Sequence, residues 1–214
     1  MNDKIIHASC IIYHSSFIIH HSSLLKMLLP IYAYGQPVLK KKSREIAPEY
    51  PDLTTLIENM WQTMYEAAGV GLAAPQIGLD IRLFVVDTEQ LKDDDDKKQP
   101  LRNGFKKVFI NAQKLEETGK PWAYEEGCLS IPNIRGDVMR PAVLKIRYLD
   151  EAFVEHIETF DGMNARVIQH EYDHIEGRLF TEHFSLVKRN LIRPKLDKIR
   201  LGKITTEYRM KFVK

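Results

Sequence analysis

Apolar residues recur at helical spacing in three segments of the chain, and each segment is predicted to be an amphipathic helix. The first helix runs from Pro51, a residue suited to an opening helical turn, to about Ala68, where Gly69 can end it. The residues expected to face its core form one stripe: Leu53, Leu56, Ile57, Met60 and Met64. Such a stripe is more typical of core packing than of a binding surface.

The other two helices are predicted in the C-terminal part of the chain. Asp161 can serve as the N-cap of the second helix, and Gly177 follows it where a left-handed residue commonly ends a helix. The third is expected over residues 185–200, with Pro194 as the point where it can break. It carries six cations: Lys188, Arg189, Arg193, Lys195, Lys198 and Arg200. A solvated face explains them most simply, and an RNA-facing surface is the alternative.

Short apolar runs predict extended segments elsewhere. The expected segments are 28–34, 81–86, 108–111, 143–149 and 153–160. Residues 88–106 are interpreted as a loop, and residues 69–78 as a tight connection whose glycines allow close approach to a ligand. This connection does not fit a dinucleotide-binding fingerprint, because Pro75 interrupts it and no strand is expected before it.

Composition fits one folded domain. The chain has 214 residues, of which 44% are apolar, and its net charge of +2 argues against nucleic-acid binding by the whole protein. Its two cysteines, Cys10 and Cys128, exclude a disulfide framework and suit a reducing compartment. No apolar run approaches the ~18 residues needed to cross a membrane. We therefore expect a cytoplasmic protein without a membrane partner.

Residues 1–26 differ from the rest of the chain. They contain three copies of a seven-residue unit and half of the chain's eight histidines. Histidine and serine interrupt the apolar core that a signal peptide needs, and a transit peptide would be rich in arginine, which first occurs at Arg44. The histidines could bind metal loosely, but we favour the hypothesis that translation starts at Met27. The expected organisation is a repetitive tail, disordered or untranslated, over 1–26 and one catalytic domain over 27–214.

The first chemical signal is the sequence QHEYDHIEG at residues 169–177. In a helix, His170 and His174 lie one turn apart on the same face, where two imidazoles can hold one metal ion. Glu171 stands beside them as a candidate proton carrier. The alternative is a solvated helix face without a metal. The apolar residues on both sides argue for burial instead, and burial would be costly for a His-Glu-His cluster without a partner.

A metal site of this kind needs a third protein ligand. One large class of peptidases has a histidine six residues after the second histidine, but this chain has Phe180 there. The best candidate lies upstream, at Cys128 in the sequence EGCLS of residues 126–130. Three protein ligands would leave a fourth position for water, as in a catalytic site. Asp173 is expected to support the fold or to orient a ligand imidazole.

Three motifs now stand in one order: GVGLAAPQ at residues 69–76, EGCLS at 126–130 and QHEYDH at 169–174. Together they resemble the motifs of peptide deformylase, the enzyme family that removes the formyl group from the N-terminal methionine of new bacterial proteins. The resemblance covers roughly residues 28–200. It implies an α+β fold in which antiparallel strands pack around the central H-E-x-x-H helix, with one helix before it and one after it. Ala112 departs from the proline expected after an Ile-Asn pair, which affects no catalytic group.

The resemblance implies roles in catalysis for the matching residues. Glu171 would be the general acid and base, while Gln76 and the backbone N–H of Leu129 would stabilise the oxyanion. The metal ligands would be Cys128, His170 and His174. Members of the family use Fe²⁺ in the cell and accept Ni²⁺, Co²⁺ or Zn²⁺, so we expect one divalent metal per chain.

The resemblance also implies substrate contacts. Gly71 would hydrogen-bond the backbone of the formyl-methionyl peptide, and Arg135 is a further candidate contact. The pocket for the methionine side chain has three candidates, for which core packing is an equal explanation: Val70, Met163 and Val167. The expected partners are formyl-methionyl nascent peptides and, through the basic last helix, the ribosome near its exit tunnel. We expect a monomer.

Two alternative functions are set against this interpretation. A zinc peptidase would use the H-E-x-x-H motif but would leave the Cys128 motif unexplained. A non-catalytic ribosome- or RNA-binding protein would use the last helix and leave all three motifs unexplained. Metal content separates the second alternative from the enzymes.

Overall fold

The computed structural model describes residues 27–91 and 103–213, so the expectations for residues 1–26 and for most of the 88–106 loop lie outside the described residues. The strands in chain order are β1 Ile31–Tyr32, β2 Gly71–Ala73, β3 Leu83–Asp87, β4 Lys106–Thr118, β5 Trp122–Cys128, β6 Ile131–Arg140, β7 Val143–Leu149, β8 Glu155–Asp161 and β9 Met210–Lys211. The α-helices are α1 Leu53–Glu66, α2 Gly162–Ile175 and α3 Leu186–Arg200. Short 3-10 helices occupy Pro37–Lys40, Ala74–Ile77, Glu89–Leu91 and Phe180–His183. A search of these described segments finds no helix with the length and apolar character of a membrane span.

Five strands form an antiparallel sheet in the order β2-β3-β4-β7-β8. Along β3, Phe84 and Val86 belong to an apolar cluster with α2, whereas Leu83 and Val85 belong to a cluster with α1. Because successive side chains of a strand point to opposite faces, α1 and α2 cover opposite faces of the sheet. Burial on both faces explains why β3 begins with four consecutive apolar residues. The predicted α+β fold, with antiparallel strands around a central helix, is confirmed.

The strands β5 and β6 form a separate two-stranded hairpin that carries Cys128. Cys128 ends β5 and Ile131 begins β6, with residues 129–130 as the turn between them. An apolar cluster joins the hairpin to α3, and its members include Ile131, Ile134, Val138, Leu196 and Ile199. The candidate thiolate therefore sits at the tip of a hairpin that α3 supports.

The ends of α2 agree with the sequence prediction. Asp161 is its N-cap residue, although its side chain makes no capping hydrogen bond. Gly177 follows the helix with a φ of +70°, a left-handed conformation that glycine adopts at low cost. Ala165 and Ile168 are fully buried against the sheet. Since they lie about half a turn away from His170 and His174 around the helix axis, the two histidines face away from the sheet.

Several predicted boundaries are wrong for local reasons. Pro51 precedes the N-cap residue Asp52 and does not form the first turn of α1. β4 continues to Thr118 because its polar, exposed half pairs with β7 through two register shifts. The connection at 69–78 contains the short strand β2. Pro194 lies within a continuous α3, at an exposed position where water can bond the carbonyl that proline leaves unpaired.

Candidate active site

A cavity of about 610 Å³ opens where β2, the β5–β6 hairpin and α2 meet. Eight of the nine site residues predicted from the sequence line this cavity: Val70, Gly71, Gln76, Cys128, Leu129, Arg135, His170 and Glu171. The ninth, His174, is buried and lies in contact with Cys128. Three distant stretches of sequence therefore meet in one place.

The candidate metal ligands converge at the base of the cavity. One ligand atom each from Cys128, His170 and His174 lies within 4.8 Å of the other two. The Sγ of Cys128 is 3.2 Å from Nε2 of His174. One thiolate and two imidazoles form a donor set that suits zinc, iron and the other late first-row divalent metals. The residues present therefore fit a divalent metal, and two of them, Cys128 and His170, line the cavity.

The charges within this group favour a thiolate. Burial alone would raise the pKa of the Cys128 thiol, but His174 and His170 outweigh burial and lower that pKa to about 5. Burial alone would lower the pKa of His170, but Cys128 and Glu126 outweigh it and raise that pKa well above 6.5. The thiolate is the form of cysteine that binds a metal, so Cys128 is in its metal-binding form at neutral pH.

Glu126 holds His170, one of the candidate metal ligands, through a hydrogen bond. Its Oε2 accepts a 3.0 Å hydrogen bond from Nδ1 of His170, which leaves Nε2 as the nitrogen available to a metal. Arg140 donates to both Glu126 oxygens at 2.8 and 3.0 Å, and Arg166 donates at 2.7 Å. Burial would raise the pKa of Glu126, but its bonds with His170 and Arg140 hold that pKa well below its ordinary value. The carboxylate is therefore a fixed negative charge.

Asp173 supports the same group of side chains and does not orient a ligand imidazole. Its Oδ2 accepts from Nη1 of Arg140 at 2.8 Å and lies 2.9 Å from Nε2 of His183. Burial would raise the pKa of Asp173, but His183 and Arg140 outweigh it and lower that pKa to about 2. Arg140 thus bridges Asp173 on α2 to Glu126 on β5.

Glu171 lines the cavity, and its side chain is buried. A Cβ atom on Gly71 would lie 2.5 Å from Oε1 of Glu171, so glycine alone fits opposite the carboxylate. Oε2 of Glu171 has no hydrogen-bond partner among the described residues. Burial raises the pKa of Glu171 to about 7, against the opposing effect of His170 and His174. A carboxyl group with this pKa can both take up and release a proton near neutral pH.

Gln76 and Leu129 both lie next to Cys128. The Oε1 of Gln76 accepts a 2.8 Å hydrogen bond from the Ala73 N–H, which fixes the orientation of the amide. Its Nε2 then lies 3.4 Å from the Ser130 hydroxyl and 3.5 Å from Sγ of Cys128. A fixed amide donor and the adjacent backbone N–H of a hairpin turn are groups that can meet a developing negative charge on oxygen.

The cavity is also lined by large apolar or aromatic side chains. Four of them are Val70, Tyr124, Met163 and Val167. Arg135 is exposed at the cavity and packs along Gly127, where an added Cβ would lie 3.5 Å from its side chain. Sequence reasoning missed Tyr124 and Tyr208, which also line the cavity. No motif contains Tyr208, and only the folded chain brings it here.

Comparison with known proteins agrees with this geometry. The model of the family described as polypeptide deformylase matches residues 28–190. A peptide deformylase of Christiangramia forsetii is 54% identical over 189 residues, which cover 87% of this chain and 96% of that protein. A peptide deformylase of Flavobacterium johnsoniae is also 54% identical, with the same coverage.

Solved structures show the same fold. The crystal structure of a peptide deformylase from Legionella pneumophila has a TM-score of 0.71 and 36% identity, covering 84% of this chain and 99% of that one. The crystal structure of the enzyme from Ehrlichia chaffeensis has a TM-score of 0.73 and 28% identity, covering 84% and 100% of the two chains.

Proposed function

This chain belongs to the polypeptide deformylase family, and it removes the formyl group from the N-terminus of nascent polypeptides; from this premise we propose how its own residues carry out the hydrolysis. The observation that supports the proposal most is the buried carboxyl of Glu171, whose Oε2 has no hydrogen-bond partner within the described segments and which lines the same cavity as Cys128 and His170. Family membership also decides against the two alternatives raised by the sequence, a zinc peptidase and a non-catalytic RNA-binding protein.

Enzymes of this family depend on a metal, and we propose that Cys128, His170 and His174 hold it. When bound, a divalent metal acts as a Lewis acid and lowers the pKa of water from ~15.7 towards ~7, so that hydroxide is available at neutral pH. We propose Fe²⁺ as the metal in the cell, with Zn²⁺, Ni²⁺ or Co²⁺ as replacements after purification. Zinc binds a given site more tightly than Fe²⁺, and a thiolate ligand is open to oxidation, so anaerobic purification with metal analysis tests this assignment.

Substrate binding is assigned to the walls of the cavity. The backbone of Gly71 would hydrogen-bond the peptide, since Gly71 lines the cavity and has no side chain to keep a ligand away. The methionine side chain would occupy the apolar part lined by Val70, Met163 and Val167. Arg135, at the exposed side, would contact the peptide further from its formyl end.

The proton steps are assigned to Glu171. As carboxylate it takes the proton of the attacking water, and as carboxylic acid it gives that proton to the departing amine. The side-chain amide of Gln76 and the N–H of Leu129 donate to the carbonyl oxygen as it gains negative charge. The formamide C–N bond breaks, and the products are formate and a peptide with a free amino terminus.

The products test the reaction against peptide-bond cleavage. Metal-loaded protein is incubated with formyl-Met-Ala-Ser, with acetyl-Met-Ala-Ser as the matched blocked peptide. We expect formate and free Met-Ala-Ser in equal amounts from the first peptide, and slow or no reaction with the bulkier acetyl group. Cleavage at the Met-Ala bond instead would assign the site to a peptidase.

We propose that the exposed side of α3 docks on the ribosome near the exit tunnel. Arg189, Arg193 and Lys195 are exposed, as are three apolar residues of the same helix: Leu186, Val187 and Leu191. Exposed cations on one element attract the phosphates of RNA. Lys188 contributes less, because its Nζ lies 4.1 Å from the centre of the Phe184 ring.

Charge reversal tests the docking proposal. Arg189→Glu with Arg193→Glu should reduce co-sedimentation with ribosomes at low salt, while formate release stays unchanged. Lys120→Glu with Lys145→Glu, two exposed lysines outside α3, is the matched control and should bind normally. Equal co-sedimentation of both double variants would count against docking through α3. We also propose a cytoplasmic monomer, which fractionation and light scattering of the purified protein would check.

A further inference from the structure

The C-terminal segment 201–213 folds back onto the active site, although the family match ends at residue 190. Within it, the hydroxyl of Tyr208 donates a 2.8 Å hydrogen bond to the backbone carbonyl of Leu129. The Tyr208 ring also lines the cavity. A residue outside the three motifs therefore contacts the hairpin turn that carries a candidate oxyanion donor.

The backbone on either side of Tyr208 is firmly held. β9 pairs in parallel with β1, and the carbonyls of Arg209 and Lys211 each accept a 2.9 Å hydrogen bond from a backbone N–H beside or within β1. The side chain of Gln36 donates to the Phe212 carbonyl at 2.7 Å. On the other side of Tyr208, Thr206 donates its hydroxyl to the Tyr208 carbonyl at 2.8 Å. This segment can therefore act as a fixed support for the phenol.

The turn after Cys128 is held by both terminal segments. Tyr208 bonds the carbonyl of Leu129, and the N–H of Tyr34, just after β1, bonds the carbonyl of Ser130 at 2.9 Å. Two consecutive carbonyls are thus fixed from outside the hairpin. The N–H of Leu129 belongs to the peptide group between Cys128 and Leu129, and the carbonyl that Tyr208 bonds belongs to the next peptide group. The two planar groups meet at the Cα of Leu129, so fixing the second group restricts the direction of the Leu129 N–H. An oxyanion donor is effective when it is already in position before the charge develops.

We propose that Tyr208 is a positioning residue for deformylation: its hydroxyl fixes the Leu129 peptide so that the adjacent N–H meets the developing oxyanion, while its ring closes one wall of the substrate cavity. This inference rests on the proposed role of Leu129. The C-terminal segment then contributes to catalysis and does not only stabilise the fold.

Removal of the hydroxyl alone tests the proposal. In Tyr208→Phe the ring remains, so KM should stay within about twofold while kcat falls about tenfold, the effect expected from one lost hydrogen bond. The matched control is Tyr32→Phe, which removes a phenol that accepts a 2.9 Å hydrogen bond from Lys211 of the same segment but lies outside the cavity. It should retain wild-type kcat and KM. The two variants should have similar Tm values in thermal unfolding.

A second variant separates the two roles of Tyr208. Tyr208→Ala removes the wall as well, so it should show the lower kcat of Tyr208→Phe together with a raised KM. A wild-type kcat in Tyr208→Phe would overturn the positioning role, and equal losses in Tyr208→Phe and Tyr32→Phe would reduce it to general support of the segment. Wild-type protein that releases no formate would instead contradict the proposed function, so the two failures are distinguishable.

Discussion

At the scale of single residues, Glu126 determines how His170 is presented to a metal. The four nitrogen atoms nearest its carboxylate come from His170, Arg140 and Arg166. The sequence motif points to Cys128 as a candidate ligand, but it cannot reveal the partners of Glu126. Arg140 lies 14 residues from Glu126 along the chain and Arg166 lies 40 away, and each contact depends on the register of the hairpin or the rotation of α2.

Glu126→Gln should weaken metal binding. The amide keeps the shape of the side chain but removes the negative charge that holds the Nδ1 proton of His170. We expect a roughly 10- to 100-fold loss of metal affinity, the usual effect of removing a partner of a ligand histidine. Competition with a chelator measures the affinity. Glu125→Gln, at the exposed neighbouring position of the same strand, is the control and should bind metal like wild type.

Arg140→Met should be strongly destabilising. It leaves the carboxylates of Glu126 and Asp173 buried without the cation that bridges them. Breaking a buried ion pair from one side typically costs about 3–5 kcal/mol. Urea unfolding of the metal-free protein measures this loss, and Arg189→Met, at an exposed position on α3, should cost less than about 0.5 kcal/mol. Equal stability of the two variants would show that the Arg140 bridge contributes little.

At the scale of elements, local sequence patterns predict the three α-helices and β7, but they do not predict the β5–β6 hairpin. The bounds of β7 are those predicted, since buried and more exposed positions alternate along it and a turn follows at residues 151–152. β6 is missing from the prediction because Pro132 and Gly136 weaken its sequence signal and Asn133 has a left-handed φ of 62°. β6 is formed through pairing with β5 and packing on α3, which are interactions that a window of sequence does not contain.

The sheet should lose stability in acid through Glu158 of β8. Burial would raise the pKa of Glu158, but hydrogen bonds from Lys107 at 2.7 Å and from Tyr148 at 2.8 Å lower it below the ordinary 4.5. The folded state therefore gains stability from the carboxylate above about pH 4.5 and loses it as the pH falls towards the folded-state pKa.

Thermal unfolding as a function of pH measures this contribution of Glu158. Between pH ~6 and ~3, Glu158→Gln should show a smaller fall in Tm than wild type, because one linked proton is removed. The exposed Glu155→Gln in the same strand is the control and should follow the wild-type curve. A wild-type pH dependence in Glu158→Gln would contradict the assignment.

At the scale of the whole molecule, the segments near the two termini of the described chain meet beside the active site. The parallel pairing of β1 with β9 joins residues almost 180 positions apart, which no local pattern predicts. The N–H of Met27 donates a 2.9 Å hydrogen bond to the Asn59 side chain, and the family match begins at residue 28. Neither observation bears on where translation begins, so the start at Met27 stays a prediction.

Intact mass of the protein isolated from its own host tests the start site. A mass that corresponds to translation from Met27, with or without that methionine, is expected. A mass that includes Met1 would refute the hypothesis and make the repeated segment a part of the mature protein. Removal of residues 1–26 from the recombinant chain should leave formate release unchanged, because all nine site residues lie after residue 69.

The central claim is that Glu171 moves the proton during hydrolysis of a formyl group beside a Cys-His-His metal site. The most direct measurement is formate release from a formyl-Met tripeptide by anaerobically purified, Fe²⁺- or Ni²⁺-loaded protein, with Glu171→Ala alongside at equal metal content. Rapid turnover by wild type and a loss of at least about 100-fold in the variant are predicted, since general acid–base catalysis typically contributes 10²- to 10⁴-fold. Unchanged turnover in Glu171→Ala, or no formate from wild-type protein with one metal per chain, would contradict the account.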